Sequence, residues 1–553
     1  MAKPNILIFM TDQQRGDTVL PNSQAIMPNI DKFRTQGLTF SNARCPSPHC
    51  CPSRASFFTG LFPTGHGVWN NVNVGNTLSR GLTEGVRLWS EDLAEAGYNL
   101  RYSGKWHISD HESPADRGWT EGMVTAMPGK GLGEKKMWDM YQKIAEASRN
   151  GERPEDKAAL DRAGNPIMKD RAEGFIPRPG YPTYVHYGTR ENSFRDEDVV
   201  QDALKFLADL PKKGAGAGKG STAARSDAAV SAADAPWALY VGTLGPHDPY
   251  FPPQRFLDMY KPEDIELPPN FRDGMDDKPR LYLRTRRRFD SLSELEHREA
   301  IRHYLAFCSY QDYLFSQVLE ALERTGQAEN TLVMYLSDHG DYMGEHGLWC
   351  KGLPCFQGAY NVPAIVRWPA GIKKPGRIET APVALGDFAP TILEATGIAQ
   401  FGLSAKAASP TTSAATSSAT ASAAAAATAS KTPDAATAPS LSLMPFFRAE
   451  QPKAWRTEHY TQSNGNELYG IQRSVSDAKY KYVYNGFDLD EFYDLGKDPG
   501  EMVNQAANPA YAELVREYCG KMWRFARDNG DVSVNPYIMV SLAPYGPAEA
   551  YKG

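Results

Sequence analysis

Short apolar runs alternate with longer amphipathic ones along this chain, and the alternation sets the first expectation about its fold. Asn5–Met10, Trp237–Leu244 and Thr331–Ser337 are rich in aliphatic and aromatic residues, and each is followed by polar residues at its C-terminal end. A short continuous apolar run reads as a strand buried on both faces, as in a parallel sheet. Between these runs, Ser90–Ala96, Glu197–Leu210 and Arg298–Thr325 place apolar residues at helical spacing. Ser90 is the expected N-cap of the first, since its hydroxyl can accept from an unpaired backbone N–H. Strand–helix alternation predicts an α/β fold with a mainly parallel central sheet. In such sheets sites form at the carboxyl ends of the strands. Asp12, His247, Asp338 and His339 all fall there, so residues far apart in sequence are expected at one edge.

The pattern breaks twice. A stretch at about 212–235 and a longer one at 404–440 consist mostly of Ala, Gly, Ser, Thr and Pro. Neither can bury enough apolar surface to offset its ordering entropy, so both are expected to be flexible surface loops without chemistry. Beyond the second, Tyr480–Tyr484 and Glu491–Leu495 read as strands and Ala510–Asn529 as a helix. The expected organisation is a catalytic domain over 1–403, a low-complexity loop over 404–440, and a smaller α+β subdomain with a tail over 441–553. The Pro-, Tyr- and Gly-rich end from Val532 to Gly553 is expected to form an arm over the site or onto another subunit.

Charge narrows the partners. Against 60 Lys+Arg stand 66 Asp+Glu, a net charge of -6, which gives no reason to expect nucleic acid or an anionic membrane. No apolar run approaches the roughly 18 residues of a membrane span. The first apolar run is too short for a secretory leader, so the cytoplasm is the expected compartment. The seven cysteines (Cys45, Cys50, Cys51, Cys308, Cys350, Cys355, Cys519) follow no disulfide or structural-zinc spacing and are expected to be free thiols.

One segment carries specific chemistry. Cys50-Cys51-Pro52-Ser53-Arg54, followed after four residues by Thr59-Gly60, resembles the sulfatase signature of Cys, any residue, Pro-Ser-Arg, four residues and Thr-Gly. In that family the first Cys is oxidised to formylglycine, which implies modification of Cys50 rather than Cys51. The family resemblance implies the alkaline-phosphatase-like α/β/α sandwich, in agreement with the alternation above. A hydrated aldehyde is a geminal diol. One hydroxyl attacks sulfur, and loss of the other's proton then expels sulfate. Arg54, one helical turn on, is a fixed cation for this chemistry, and a helix N-terminus favours an anion.

Further motifs match the same family. Asp12-Gln13 and Asp338-His339 correspond to its metal site, so Asp12, Gln13, Asp338 and His339 are the implied ligands, completed by residue 50. An oxygen-rich set with one imidazole implies a divalent cation, Ca2+ first, with Mn2+ also compatible. Gly104-Lys105-Trp106-His107, Pro246-His247-Asp248-Pro249-Tyr250 and the late Lys351 resemble its cationic elements. By that resemblance Lys105, His247 and Lys351 bind the sulfate and leaving-group oxygens, and His107 holds the diol. His66 and His346 read as structural, and His49 stays open.

Many sulfatases have Asp-Asp where this chain has Asp12-Gln13. The Asp-Gln form resembles choline sulfatases and phosphonate monoester hydrolases, so the departure bears on substrate rather than on the metal. The expected function is hydrolysis of a small-molecule sulfate ester. The alternatives are a phosphonate monoester or phosphodiester hydrolase using the same site and a non-catalytic binding protein of the same fold. A formylglycine-generating enzyme is the implied maturation partner, and relatives of the Asp-Gln type often assemble as homo-oligomers. Trp69, Asn70, Asn71, Trp349 and Tyr250 are the expected lining of the substrate pocket.

Overall fold

A computed structural model of the chain describes residues 3–73, 77–125, 174–178, 181–211, 235–287, 289–290, 292–398, 440–466, 468–534 and 546. The low-complexity stretches at 212–234 and 404–439, and most of the expected C-terminal arm, lie outside the described residues.

Sixteen strands are described. They are β1 (Asn5–Thr11), β2 (Leu38–Phe40), β3 (Ala43–Arg44), β4 (Asn99–Lys105), β5 (Thr120–Thr125), β6 (Gly174–Arg178), β7 (Tyr181–Tyr187), β8 (Trp237–Gly242), β9 (Thr331–Ser337), β10 (Ala364–Arg367), β11 (Arg377–Glu379), β12 (Val383–Ala384), β13 (His459–Gly465), β14 (Tyr469–Ser476), β15 (Tyr480–Asn485) and β16 (Glu491–Asp494). Eight of them form the central sheet in the order β11-β2-β10-β9-β1-β8-β4-β5. Only β10 runs against its neighbours there. Ile6 to Met10 are fully buried, as a strand covered on both faces requires.

Alternate residues of β1 feed two separate cores, which makes the domain a three-layer sandwich. Ile6, Ile8 and Met10 join one core with the helices Cys50–Thr59, Trp89–Glu95 and Phe388–Thr396. Leu7 and Phe9 join the other with Pro28–Gln36, Asp196–Asp209 and Glu294–Arg324. The longest helix, Glu294–Arg324, begins at Ser293, whose hydroxyl accepts from Glu296 N while the Glu296 carboxylate accepts from Ser293 N. Ser90 is not a cap: the helix starts one residue earlier, the Glu91 carboxylate accepts from Leu88 N at 2.8 Å, and the Ser90 hydroxyl donates to Arg117 O.

Register sets the site. β1 and β9 pair in parallel with Thr11 opposite Ser337, so Asp12 and Asp338 leave the sheet side by side. On the other side Met10 pairs with Gly242 and Gly242 with Gly104, which brings Lys105 to the same edge. A Cβ on Gly104 (φ 104) would lie 1.9 Å from the Gly242 carbonyl oxygen, so only glycine lets β4 run this close.

After residue 440 an antiparallel sheet, β13-β14-β15-β16, is covered by the helix Ala512–Asp528 through Val475, Tyr482, Phe492, Tyr518 and Trp523. This is the expected α+β subdomain. It meets the first domain close to the motif, where Gln462 N donates to Pro46 O at 2.8 Å. Among the described residues none of the seven cysteines forms a disulfide, and no helix is long and apolar enough to cross a membrane.

Candidate active site

The helix Cys50–Thr59 points its first turn at the carboxyl edge of the sheet, and all ten of its residues are buried. Pro52 sits in that first turn, where no intrahelical N–H bond is lost. Gly60 in the left-handed conformation (φ 73) ends the helix by donating to Ser56 O. Cys50 Sγ therefore lies 3.7 Å from Asp12 Oδ1 and 3.2 Å from His339 Nε2. Ligand atoms of Asp12, Cys50, Asp338 and His339 all lie within 4.8 Å of one another. Nδ1–H of His339 donates to Gly340 O at 2.9 Å, which turns the Nε2 lone pair toward the cluster. Two buried carboxylates and one oriented imidazole are the donor set a divalent cation takes, and an oxygen in place of Sγ makes that set harder.

Cations crowd the same space. The Lys105 ammonium donates to the Asp12 carboxylate. Arg54 donates through Nε to Asp338 Oδ2 at 2.7 Å and through Nη1 to Lys105 O (3.0 Å), with Nη1 also 2.9 Å from the Tyr240 hydroxyl. Lys351 Nζ lies 2.7 Å from His247 Nε2, whose Nδ1–H donates to Asp248 O at 2.5 Å. Burial and the Cys50 sulfur push the Asp12 carboxyl up, but Lys105, His247 and Lys351 outweigh them and bring it to about 2. Burial likewise raises the Cys50 thiol, while Lys105, Lys351 and His339 carry it well below the thiol range. Burial and Lys351 pull His339 down, yet Asp338 and Cys50 prevail and raise it. His107, in the left-handed region (φ 54), holds Nε2 against Asn73 Oδ1 at 3.0 Å and interacts with the Cys50 sulfur.

Comparison with known proteins bears on this geometry. Residues 4–398 match the sulfatase family model. The chain belongs to the sulfatase family. It is similar to the choline-sulfatase of Rhizobium meliloti (strain 1021), with 26% identity over 92% of this chain and 83% of that protein. It is also 25% identical to the multifunctional alkaline phosphatase superfamily protein PehA of Trinickia caryophylli, over 97% and 98% of the two chains. Among solved structures, the phosphonate monoester hydrolase of Agrobacterium radiobacter shares the fold with a TM-score of 0.66 at 18% identity, over 95% and 96% of the chains. This sulfatase is a sulfuric ester hydrolase.

The sulfatase brings together every motif residue named from the sequence: Asp12, Gln13, Cys50, Arg54, Lys105, His107, His247, Asp338, His339 and Lys351. Gln13 stands beside the cation cluster in the left-handed region (φ 66), its backbone N–H on Asp338 Oδ1 at 3.2 Å. Its side-chain oxygen accepts from Lys351 Nζ at 2.6 Å. Its Nε2 donates to Asp341 Oδ2 at 2.6 Å and lies 3.3 Å from Asp248 Oδ1. Asp341, two residues after His339, joins the site through these contacts and is a site residue that the motifs do not include. Burial raises its carboxyl to about 6 against the hydrogen bonds of Tyr250, Met343 N and Gln13. Tyr240, which meets Arg54, carried no local signal.

Three lining expectations are corrected. Trp349 and Tyr250 are 1% and 0% exposed: the Trp349 indole N–H donates to His297, and the Tyr250 hydroxyl donates to Asp341. They support the site from inside. Asn70 is also fully buried, accepting from Thr77 and Leu78, whereas Trp69 is half-buried beneath Arg473. Asn71 accepts from Cys51 N at 3.1 Å. His66 and His346 lie away from the cluster, on Ser56 and Asp273.

Proposed function

We propose that this sulfatase acts through formylglycine made from Cys50 by a formylglycine-generating enzyme, with one divalent cation, Ca2+, held by Asp12, Asp338, His339 and the converted residue 50, and with Gln13 beside it. The observation that carries the proposal is the placement of Cys50 Sγ against His339 Nε2 and Asp12 inside a ring of cations. The cation supplies Lewis-acid stabilisation of developing negative charge, and the hydrated aldehyde supplies the nucleophilic hydroxyl.

The protein's own groups do the rest. Lys105 and Lys351 offer ammonium groups to the sulfate oxygens, which gain charge in the transition state. His247 donates Nδ1–H to Asp248, so its Nε2 accepts from Lys351 and the pair holds a proton for the leaving oxygen. His107 donates Nε2–H to Asn73, which leaves Nδ1 as the ring's acceptor, and the side chain interacts with residue 50. Arg54 holds the Asp338 carboxylate rigid at 2.7 Å.

The test is peptide mass spectrometry alongside turnover. The tryptic peptide Cys45–Arg54 from active protein should lack one sulfur and two hydrogens and gain one oxygen. Full activity with unconverted Cys50 overturns the proposal. Gln13 favours one second reading. A neutral amide where many relatives have Asp keeps a negative charge away from the substrate, which suits any monoanionic ester, phosphonates included. A kcat/KM more than about tenfold higher for a nitrophenyl phosphonate than for the matched sulfate would move the assignment to that class.

A further inference from the structure

Three of the four residues from Asn192 to Arg195 lie in the left-handed region: Asn192 (φ 45), Phe194 (φ 55) and Arg195 (φ 64). Asparagine tolerates that conformation, but a phenylalanine there is a genuine outlier that persists only where its surroundings impose it. The surroundings are visible. Asn192 bonds Asp198 Oδ1 and Glu197 N, each at 2.9 Å, and the Ser193 hydroxyl donates to Phe251 O. Buried Asp196 accepts from Leu244 N and Gly245 N, both at 2.8 Å, which ties this turn to the loop carrying His247. The turn sets the half-buried Phe194 ring parallel to Phe307 (6.0 Å, 12°) and edge-on to His247 (6.5 Å, 90°). The His247 side chain is 23% exposed. Phe194 is thus an aromatic ring in edge contact with His247, the side chain to which the proposed mechanism gives the leaving oxygen.

We propose that Phe194 is a specificity-determining residue that selects an aromatic leaving group, making aryl sulfates the preferred class. The inference rests on sulfate-ester hydrolysis at this site. An aromatic ring next to the ester oxygen favours a second ring through ring–ring contact that an aliphatic side chain does not supply. Lys351, at 2.7 Å from His247, disfavours a cationic group in the same place.

Binding is measured by calorimetry on the full Ca2+-loaded chain with Cys50 unconverted, using 4-nitrophenyl sulfate, methyl sulfate and choline sulfate. The expected wild-type preference for the nitrophenyl ester over methyl sulfate is roughly tenfold. Phe194→Ala and Phe194→Leu should bring that ratio near one without changing the methyl sulfate Kd, and Phe194→Tyr should restore it. If the alanine variant fails to fold, the leucine variant decides. An unchanged ratio, an equal loss for both esters, or tighter wild-type binding of choline sulfate than of the nitrophenyl ester overturns the proposal. Turnover by converted enzyme is scored separately. Its absence for every ester defeats the sulfatase mechanism, while the Kd ratio still decides the role of Phe194.

Discussion

The side-chain oxygen of Gln13 accepts from Lys351 Nζ at 2.6 Å while its nitrogen donates to Asp341 at 2.6 Å. The orientation is forced, because only an oxygen can face the ammonium and only an N–H can face the carboxylate. Asp341 and Asp248 therefore exclude a third carboxylate at this point. Gln13→Glu should place a buried charge against two acids and destabilise the fold by about 3 kcal/mol. The check is urea unfolding of metal-loaded protein. An unchanged midpoint would mean that the side chain turns away from Asp341.

The two adjacent cysteines should separate cleanly. Cys50 faces the cation cluster, whereas Cys51 is buried in the core, where its sulfur accepts from Val72 N at 3.4 Å. Cys50→Ala should abolish turnover with little effect on melting. Cys51→Ala should keep most turnover while costing about 1 kcal/mol of stability. Nitrophenyl sulfate assays and thermal melts on both variants test the split. Equal loss of turnover in the two would remove the distinction.

His66 makes stability depend on pH. Its Nδ1 accepts from Val68 N at 3.1 Å, so Nε2–H donates to the Ser56 hydroxyl at 2.9 Å. Burial lowers its pKa from 6.5 to about 3. Between those values the unfolded chain takes up a proton that the folded chain refuses. The contribution is present above pH 6.5 and is lost as pH falls toward 3, by about 1.4 kcal/mol per pH unit. His66→Asn keeps an acceptor for Val68 N and removes the titration. Unfolding free energies at pH 7, 6, 5 and 4 should fall less steeply in the variant, by one proton. Parallel curves would place the proton elsewhere.

Much of this site was legible because parallel register converts strand ends into neighbours. Asp12 and Asp338 each follow an apolar run, and the pairing of Thr11 with Ser337 brings them together. β4 escaped notice for a physical reason. Its Arg101 and Ser103 are polar, and both are satisfied by Asp202 on the helix Asp196–Asp209, so no apolar run marks the strand. Ser90 had the composition of a cap but lost that place to Glu91, two residues beyond the start of the helix. Asp341, Tyr240 and Phe194 gain their roles from tertiary contacts with Gln13, Arg54 and His247, and no spacing rule encodes those.

Arg54 gives the sharpest test of what the signature arginine does. Its guanidinium is held on two sides: Nε by Asp338 at 2.7 Å, and Nη1 by the Lys105 carbonyl at 3.0 Å and the Tyr240 hydroxyl at 2.9 Å. Nη2 has no hydrogen-bond partner among the described residues and lies 3.7 Å from Asp12 Oδ2, inside the site. The planar fork is thus fixed at two corners, and its third points at the Asp12 side of the site. Lysine retains the charge but has one nitrogen, which cannot occupy all three directions. Arg54→Lys should lower kcat by about 10²–10³, the usual cost of removing a fixed transition-state donor. Tyr240→Phe removes a single partner of Nη1 and should cost about 1 kcal/mol of stability with a much smaller loss of kcat. Both are measured on purified, active enzyme with nitrophenyl sulfate. If Arg54→Lys keeps near wild-type kcat, charge alone suffices and the fork geometry has no catalytic role.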